Sequence, residues 1–330
     1  MTLDRNNLKG IAAQAARILE NRFDDWESPR YLLHADGAFE LDGLLDEPPQ
    51  ELALADLPEL PQKPNTDGVS PRLAYGRCHG IPLLILQNPW RTADGNGLLP
   101  ALFPILLART ARIPNALFLD CALSLTPDLK AGHWGMLTDF LNSHACSPLD
   151  GLHDLLERPF PNLAETLDQF QNSEILNALG TFGETPLLCN YLGVPGHHLA
   201  TPAEARVARA QGADLLGHDL PLLLIFAHAM GFRVSALVLA IAQFLPELPP
   251  PRVTRREFLE TAQFCSPQLV KTIRKALANL EHRPDLDRPP AEIPAQKPEA
   301  QQEMDADELI AASIRAAATR HSPLAKYLRR

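Results

Sequence analysis

Four continuous apolar runs, at residues 81–87, 115–125, 186–192 and 233–242, constrain this chain more than any other feature. None alternates polar with apolar residues, as a strand with one wet face does. Runs of this kind suit strands covered by helices on both faces. Helical spacing fills the intervals, at 97–111, 162–179, 202–211, 219–230 and 254–281. A further helix is expected over 3–24, where Leu8, Ile11, Ala12, Ala15, Ile18, Leu19 and Phe23 share one face. A strand begins at 31–34 and runs into the turn Ala35-Asp36-Gly37. Residues 45–71, rich in Pro, Asp and Glu, are expected to wrap the surface. Strand and helix alternate, so the expected class is α/β.

With 330 residues, 45% of them hydrophobic, the chain can bury one large core with or without an appendage. The net charge of −10 argues against nucleic acid or an anionic membrane surface as the main partner. No apolar stretch approaches the ~18 residues of a membrane span, and no secretory signal is visible at the start. Five scattered cysteines without a CxxC pair read as small hydrophobes in a reducing cytoplasm. The expected location is therefore cytoplasmic.

The composition changes after Arg283. Residues 1–283 are expected to form the α/β domain, with helix 3–24 included. Segment 284–303 carries five prolines and reads as a linker. Residues 304–330 read as a helix and tail, with Asp305 or Asp307 as cap and Leu309, Ile310, Ile314 and Ala317 as a narrow apolar stripe. That helix either docks on its own core, the simpler reading, or serves as a tethered motif for a partner.

Thr201-Pro202-Ala203-Glu204 is a helix start: a hydroxyl cap, a proline at the first position and a glutamate closing a capping box. Gly212 supplies the stop. His197, His198, His218 and Asp219 could in principle meet a metal, but no HxH or HExxH spacing is present and no metal site is expected. Asp94-Gly95-Asn96-Gly97 reads as a turn. No Walker loop, GxGxxG, GxSxG or Cys/His pairing stands out, so no cofactor is expected.

Several blocks, taken in order, carry a resemblance. Arg72-Leu73-Ala74-Tyr75-Gly76 precedes Leu86-Gln87-Asn88-Pro89-Trp90-Arg91-Thr92-Ala93-Asp94-Gly95, which is similar to an MQGRFHxYEG motif. Leu119-Asp120-Cys121-Ala122-Leu123-Ser124-Leu125-Thr126 is similar to TNAAGGxN, and Asp139-Phe140-Leu141-Asn142 with Pro148-Leu149-Asp150-Gly151 to DHIN and PLxG. Thr201–Glu204, Gly212-Ala213-Asp214, Gly217 and Gly231-Phe232-Arg233-Val234 resemble TPAE, GAD, VGM and GxRV. Together they resemble the trimeric purine nucleoside phosphorylase and methylthioadenosine phosphorylase family over most of residues 27–280. The resemblance implies a mixed, distorted sheet flanked by helices on both sides. It also implies a homotrimer in which Phe160 lies near a neighbouring subunit's pocket.

By family position the candidate pocket residues are Asp36, Arg91, Asp94, Asp120, His198, Ala200, His218 and Ala242. The resemblance gives phosphate a GSG turn, a GH pair and an arginine, where this chain has Ala35-Asp36-Gly37, Gly68-Val69 and Pro89. Asp36 would repel a phosphate dianion, and Val69 and Pro89 have no side-chain donor, which casts doubt on phosphate binding. The carboxylate that recognises the purine falls at Ala200 and the asparagine that stabilises the leaving base at Ala242. His218 stands for a methionine beneath the ribose and Ala93 for a tyrosine. Asp94 keeps a shortened carboxylate, and Arg91 takes a histidine position.

No catalytic residue is assigned. The expected protein is phosphorylase-like, with phosphorolysis lost or severely impaired, acting as a binding, regulatory or assembly module. Its expected ligand is a nucleoside or another small molecule, not nucleic acid or a membrane. The alternatives are a genuine but slow or altered-specificity nucleoside phosphorylase, or a hydrolase with an Asp/His site drawn from Asp36, Asp94, Asp120, His197, His198 and His218.

Overall fold

The computed structural model describes residues 3–196, 198–245 and 251–280. The expected linker 284–303 and the helix and tail at 304–330 lie outside the described residues. The chain divides into units Met1–Ala291 and Glu292–Arg330, and the described residues all belong to the first.

The four apolar runs form strands: β4 (Ile81–Gln87), β5 (Asn115–Ser124), β7 (Leu187–Gly193) and β9 (Arg233–Gln243), numbered with the others in chain order. They are joined by β1 (Tyr31–Ala35), β2 (Gln50–Ala53), β3 (Arg72–Cys78), β6 (Trp134–Asn142) and β8 (Leu215–Gly217). The helices are α1 (Leu8–Arg22), α2 (Leu98–Thr110), α3 (Gln169–Thr181), α4 (Pro202–Ala210), α5 (Leu220–Ala229) and α6 (Arg255–Leu280). The sheet order is β2-β3-β4-β1-β5-β8-β7-β6-β9, with β9 also pairing β5. That last pairing rolls β5, β8, β7, β6 and β9 into a closed ring. The sheet is mixed: β4, β1, β5 and β9 run parallel, and β8 runs antiparallel to β5.

Register explains why the runs do not alternate. Leu32 of β1 pairs Leu84 and Ala116 on its two sides, and all three enter one core cluster. The next residues along, Leu33, Ile85 and Leu117, enter a second cluster on the opposite face. Helices α1, α2 and α5 cover the first face, and α3, α4 and α6 the second. Both faces of each central strand therefore need apolar side chains.

Three findings differ from expectation. Residues 45–71 do not merely wrap the surface: they contain β2 and bury Leu52, Leu54, Leu57 and Leu60 between the polar residues. The helix expected over 162–179 starts only at Gln169, where the Asp168 side chain accepts from the Gln171 N–H, and a short 3-10 turn precedes it. Cys146 is exposed, unlike the four buried cysteines. No helix among the described residues is long and apolar enough to cross a membrane.

Candidate functional site

A cavity of about 620 Å³ opens at the carboxyl ends of parallel strands β1, β4 and β5, the usual place for ligands in open α/β sheets. Loops after β7 and β8 and the start of α6 complete its wall. Six of the expected residues line it: Asp36, Arg91, Asp120, His198, Ala200 and His218. Asp94 and Ala242 are not among the lining residues. Asp94 is spent on its own turn, accepting from the Arg91 N–H at 2.6 Å and from the Thr66 N–H at 2.8 Å. On β9 it is Ile241 that lines the cavity and not Ala242, although both belong to the core cluster on the second face. His197 lies outside the described residues.

One corner of the cavity is an ion-pair chain. Asp36 follows β1, and its carboxylate sits 2.9 Å from Arg91, which follows β4. The other end of the same guanidinium is 3.4 Å from Asp67. Asp67 in turn accepts from Arg255 of α6 at 3.0 Å, and that guanidinium lies 4.5 Å from the centre of the Phe258 ring. The loop carrying Arg91 is fixed by buried Trp90, whose indole N–H donates to the Lys63 carbonyl at 3.0 Å. Burial works against the charge on Asp36. Arg91 and the Ala38 N–H outweigh it and hold the carboxyl below the ordinary range. Asp36, expected from the sequence to repel a phosphate dianion, is held in an ion pair with Arg91.

A second group centres on Asp120 of β5. Tyr191, fully buried on β7, donates its hydroxyl to Asp120 at 2.8 Å and accepts from the His218 N–H at 2.9 Å. Gly217 makes room for this ring, since a Cβ there would stand 1.9 Å from the tyrosine oxygen. Burial, with Asp36 nearby, pushes the Asp120 carboxyl up to about 7. Burial also lowers His218, whose Nδ1 stands 3.3 Å from the Val194 carbonyl. His34 of β1 is lowered to about 4, burial again being the largest cause, and its Nε2 has no hydrogen-bond partner. Asp219, next to His218, is taken up by Thr92, which donates its N–H and its hydroxyl at 2.6 Å each.

Sequence reasoning missed Asp67, Tyr191 and Arg255 as parts of this site. Tyr191 sits inside an apolar strand and reads as core. Asp67 and Arg255 are separated by 188 positions and meet only because the start of α6 returns to the cavity rim. Most of the wall is apolar, from Phe118, Leu123, Leu216, Leu220, Leu223 and Ile241. The arrangement offers a carboxyl near neutrality in a largely apolar chamber, and both guanidiniums that line it, Arg91 and Arg255, are already paired with carboxylates. Among the described residues, no group of three or more His, Cys, Asp or Glu side chains is placed to hold a metal ion.

No family model matches the chain. It is 29% identical over 231 residues to the purine nucleoside phosphorylase of Mycobacterium tuberculosis, covering 69% of this chain and 81% of that protein. A crystal structure of the schistosome purine nucleoside phosphorylase with hypoxanthine superposes with a TM-score of 0.72 at 18% identity, covering 85% of this chain and 99% of that one. The Schistosoma mansoni enzyme with adenosine gives 0.71 at 19% identity, over the same shares of the two chains. The mixed α/β sheet and its helical layers are those of the nucleoside phosphorylase fold. In sequence and in fold together, the chain is similar to purine nucleoside phosphorylases.

Proposed function

We propose that this protein is a phosphorylase-like binding, regulatory or assembly module in which phosphorolysis is lost or severely impaired. The observation that carries this is the clamp on Arg91. The guanidinium that could hold an anion is bound by Asp36 at 2.9 Å and faces Asp67 on its other side. A phosphate dianion would have to displace a carboxylate and then sit beside it. Two unit charges 4 Å apart repel by about 4 kcal/mol at an effective dielectric of 20, and phosphate carries more than one charge. The resemblance gives purine recognition to the position of Ala200 and stabilisation of the departing base to that of Ala242, and neither side chain offers a polar group. Losing one such group typically lowers a rate by about 10² to 10³.

The ligand is a nucleoside or another small molecule. The cavity volume supports this, as do the structural neighbours, whose crystals hold hypoxanthine and adenosine. A homotrimer fits the complete exposure of Phe160, which the resemblance puts against a neighbouring subunit. Light scattering that returned a monomer would remove that part of the proposal.

A phosphate-independent hydrolase is the second reading, favoured by the near-neutral Asp120 carboxyl, which could take a proton from an attacking water. One assay separates the readings: release of base from inosine, guanosine, adenosine and methylthioadenosine, with and without phosphate, at high protein concentration. No release is the expected result. Phosphate-dependent release at an ordinary enzymatic rate would overturn the proposal in favour of a genuine phosphorylase. Release without phosphate would establish the hydrolase.

A further inference from the structure

The cavity carries an unspent acceptor set. Its arginines are both committed, Arg91 to Asp36 and Asp67, and Arg255 to Asp67. Asp219 is occupied by Thr92. Asp120 is different. It lines the cavity, is only partly covered by protein, and receives one side-chain hydrogen bond, from neutral Tyr191. Among the described residues no Lys or Arg reaches it as an ion pair.

His34 supplies a second, independent sign. It is 5% exposed, lines the same cavity, and its buried Nε2 has no hydrogen-bond partner. The strand register brings the two residues together. His34 pairs Phe118 across β1 and β5, and Asp120 lies two residues further along β5, on the same face. A carboxylate that no cation meets as an ion pair, and a residue whose buried imidazole nitrogen has no partner, both line a largely apolar chamber. Such groups are costly to leave bare. The ligand that best satisfies them has an apolar, ring-sized body and a charged N–H donor.

We propose that the cavity binds a small amine, its apolar body against Phe118, Leu123, Leu216 and Ile241 and its ammonium on Asp120, and that it discriminates against anions. This rests on reading the cavity as a binding site and not a phosphorolysis site. Phosphate-dependent base release would defeat that reading, whereas charge-blind binding would defeat this inference alone.

The pH dependence follows from what surrounds Asp120. Asp36 faces it from the end of β1, Arg91 from the end of β4, Tyr191 from β7, and His218 from the end of β8, with His34 on β1 and His198 on the loop after β7 sharing the cavity. The Asp120 carboxyl, raised to about 7 by burial and by Asp36, loses its proton between pH 6 and pH 8. The ammonium should therefore bind better at pH 8.

The test uses three indoles that differ only in the head group: tryptamine, neutral tryptophol and anionic indole-3-acetate. Each is titrated calorimetrically into the full chain at pH 6 and pH 8. At pH 8 tryptamine should bind about tenfold more tightly than tryptophol, which is ~1.4 kcal/mol, with indole-3-acetate weakest. The advantage should shrink at pH 6 and vanish in Asp120→Asn, whose amide can still accept from Tyr191. Equal affinity for the three, preference for the anion, binding of none at millimolar concentration, or a preference unchanged in Asp120→Asn would each overturn the inference. The wild-type comparison stands alone should the variant fold poorly.

Discussion

Asp36 and Arg91 form a 2.9 Å ion pair between the ends of neighbouring parallel strands, β1 and β4. The pair is mostly withdrawn from water, with side-chain exposures of 11% and 21%. An internal carboxylate thus occupies the guanidinium that an external anion would need. Replacing Asp36 by Asn should release that face of Arg91 while Asp67 stays in place. Millimolar phosphate should then raise the melting temperature of the variant and leave the wild type unchanged. Breaking a buried pair costs about 3 kcal/mol or more, and the remaining Asp67 should hold the loss near or below that. Stabilisation of the wild type by phosphate would show that the corner still receives an anion.

Tyr191 and Gly217 give the second prediction. The tyrosine hydroxyl bridges Asp120 and the His218 N–H, and it occupies the space where a Cβ on residue 217 would be. Gly217→Ala should push the ring off both partners and lower stability by about 1–3 kcal/mol, the usual range for overpacking. Urea denaturation checks the size of the loss. An unchanged midpoint would mean that the ring is free to move aside.

Asp120 predicts an unusual pH dependence of stability. Its folded carboxyl titrates at about 7, above the ordinary carboxylate value of about 3.9 for an unfolded chain. The folded state therefore holds the proton more tightly, and this group lowers stability as pH rises between those two values. Asp120→Asn removes the penalty. The variant should melt higher than the wild type at pH 8, with the gap closing towards pH 4. A gap that is constant with pH would show that the substitution acts through packing alone.

Much of the fold was legible because the pattern had a physical cause. Continuous apolar runs at 81–87 and 115–125 mark strands with helices on both faces, and those faces are where Leu32, Leu84 and Ala116 part from Leu33, Ile85 and Leu117. Strand β6 escaped notice because its second half leaves the core: Trp134, Gly135, Met136 and Leu137 are buried, whereas Thr138 and Asp139 are exposed. β3 is interrupted by Gly76 and Arg77 and sits between β2 and β4 near the sheet edge. The site was legible where a residue follows a strand end, as Asp36, Arg91 and His218 do, and where a motif position fell on it, as at Asp120 within β5 and at His198 and Ala200 before α4. The Arg91–Asp67–Arg255 chain and the Tyr191–Asp120 bond were hidden, because their spacing is a property of the folded sheet and not of the sequence.

Gly212 closes α4 and is the position where backbone conformation alone sets stability. Its φ is +91, and the N–H groups of Gly212 and Ala213 donate to the carbonyls of Arg209 and Ala208 at 3.0 and 3.1 Å. This is the double hydrogen-bond pattern of a Schellman stop, with buried Ala208 and Ala213 in the same core cluster as its apolar contact. A Cβ at residue 212 would meet no atom within 4 Å, so nothing steric from the surroundings enters. The cost of substitution is then the left-handed backbone itself, about 1–2 kcal/mol for an ordinary residue and more for a β-branched one. Gly212→Val should lower the melting temperature by several degrees, Gly212→Ala by less, and Gly212→Asn least, because asparagine tolerates this region. The three should be compared by thermal denaturation under one condition. The ranking Asn, Ala, Val identifies the backbone as the cause. An unchanged melting temperature for Gly212→Val would mean that the left-handed stop does not lie at this glycine.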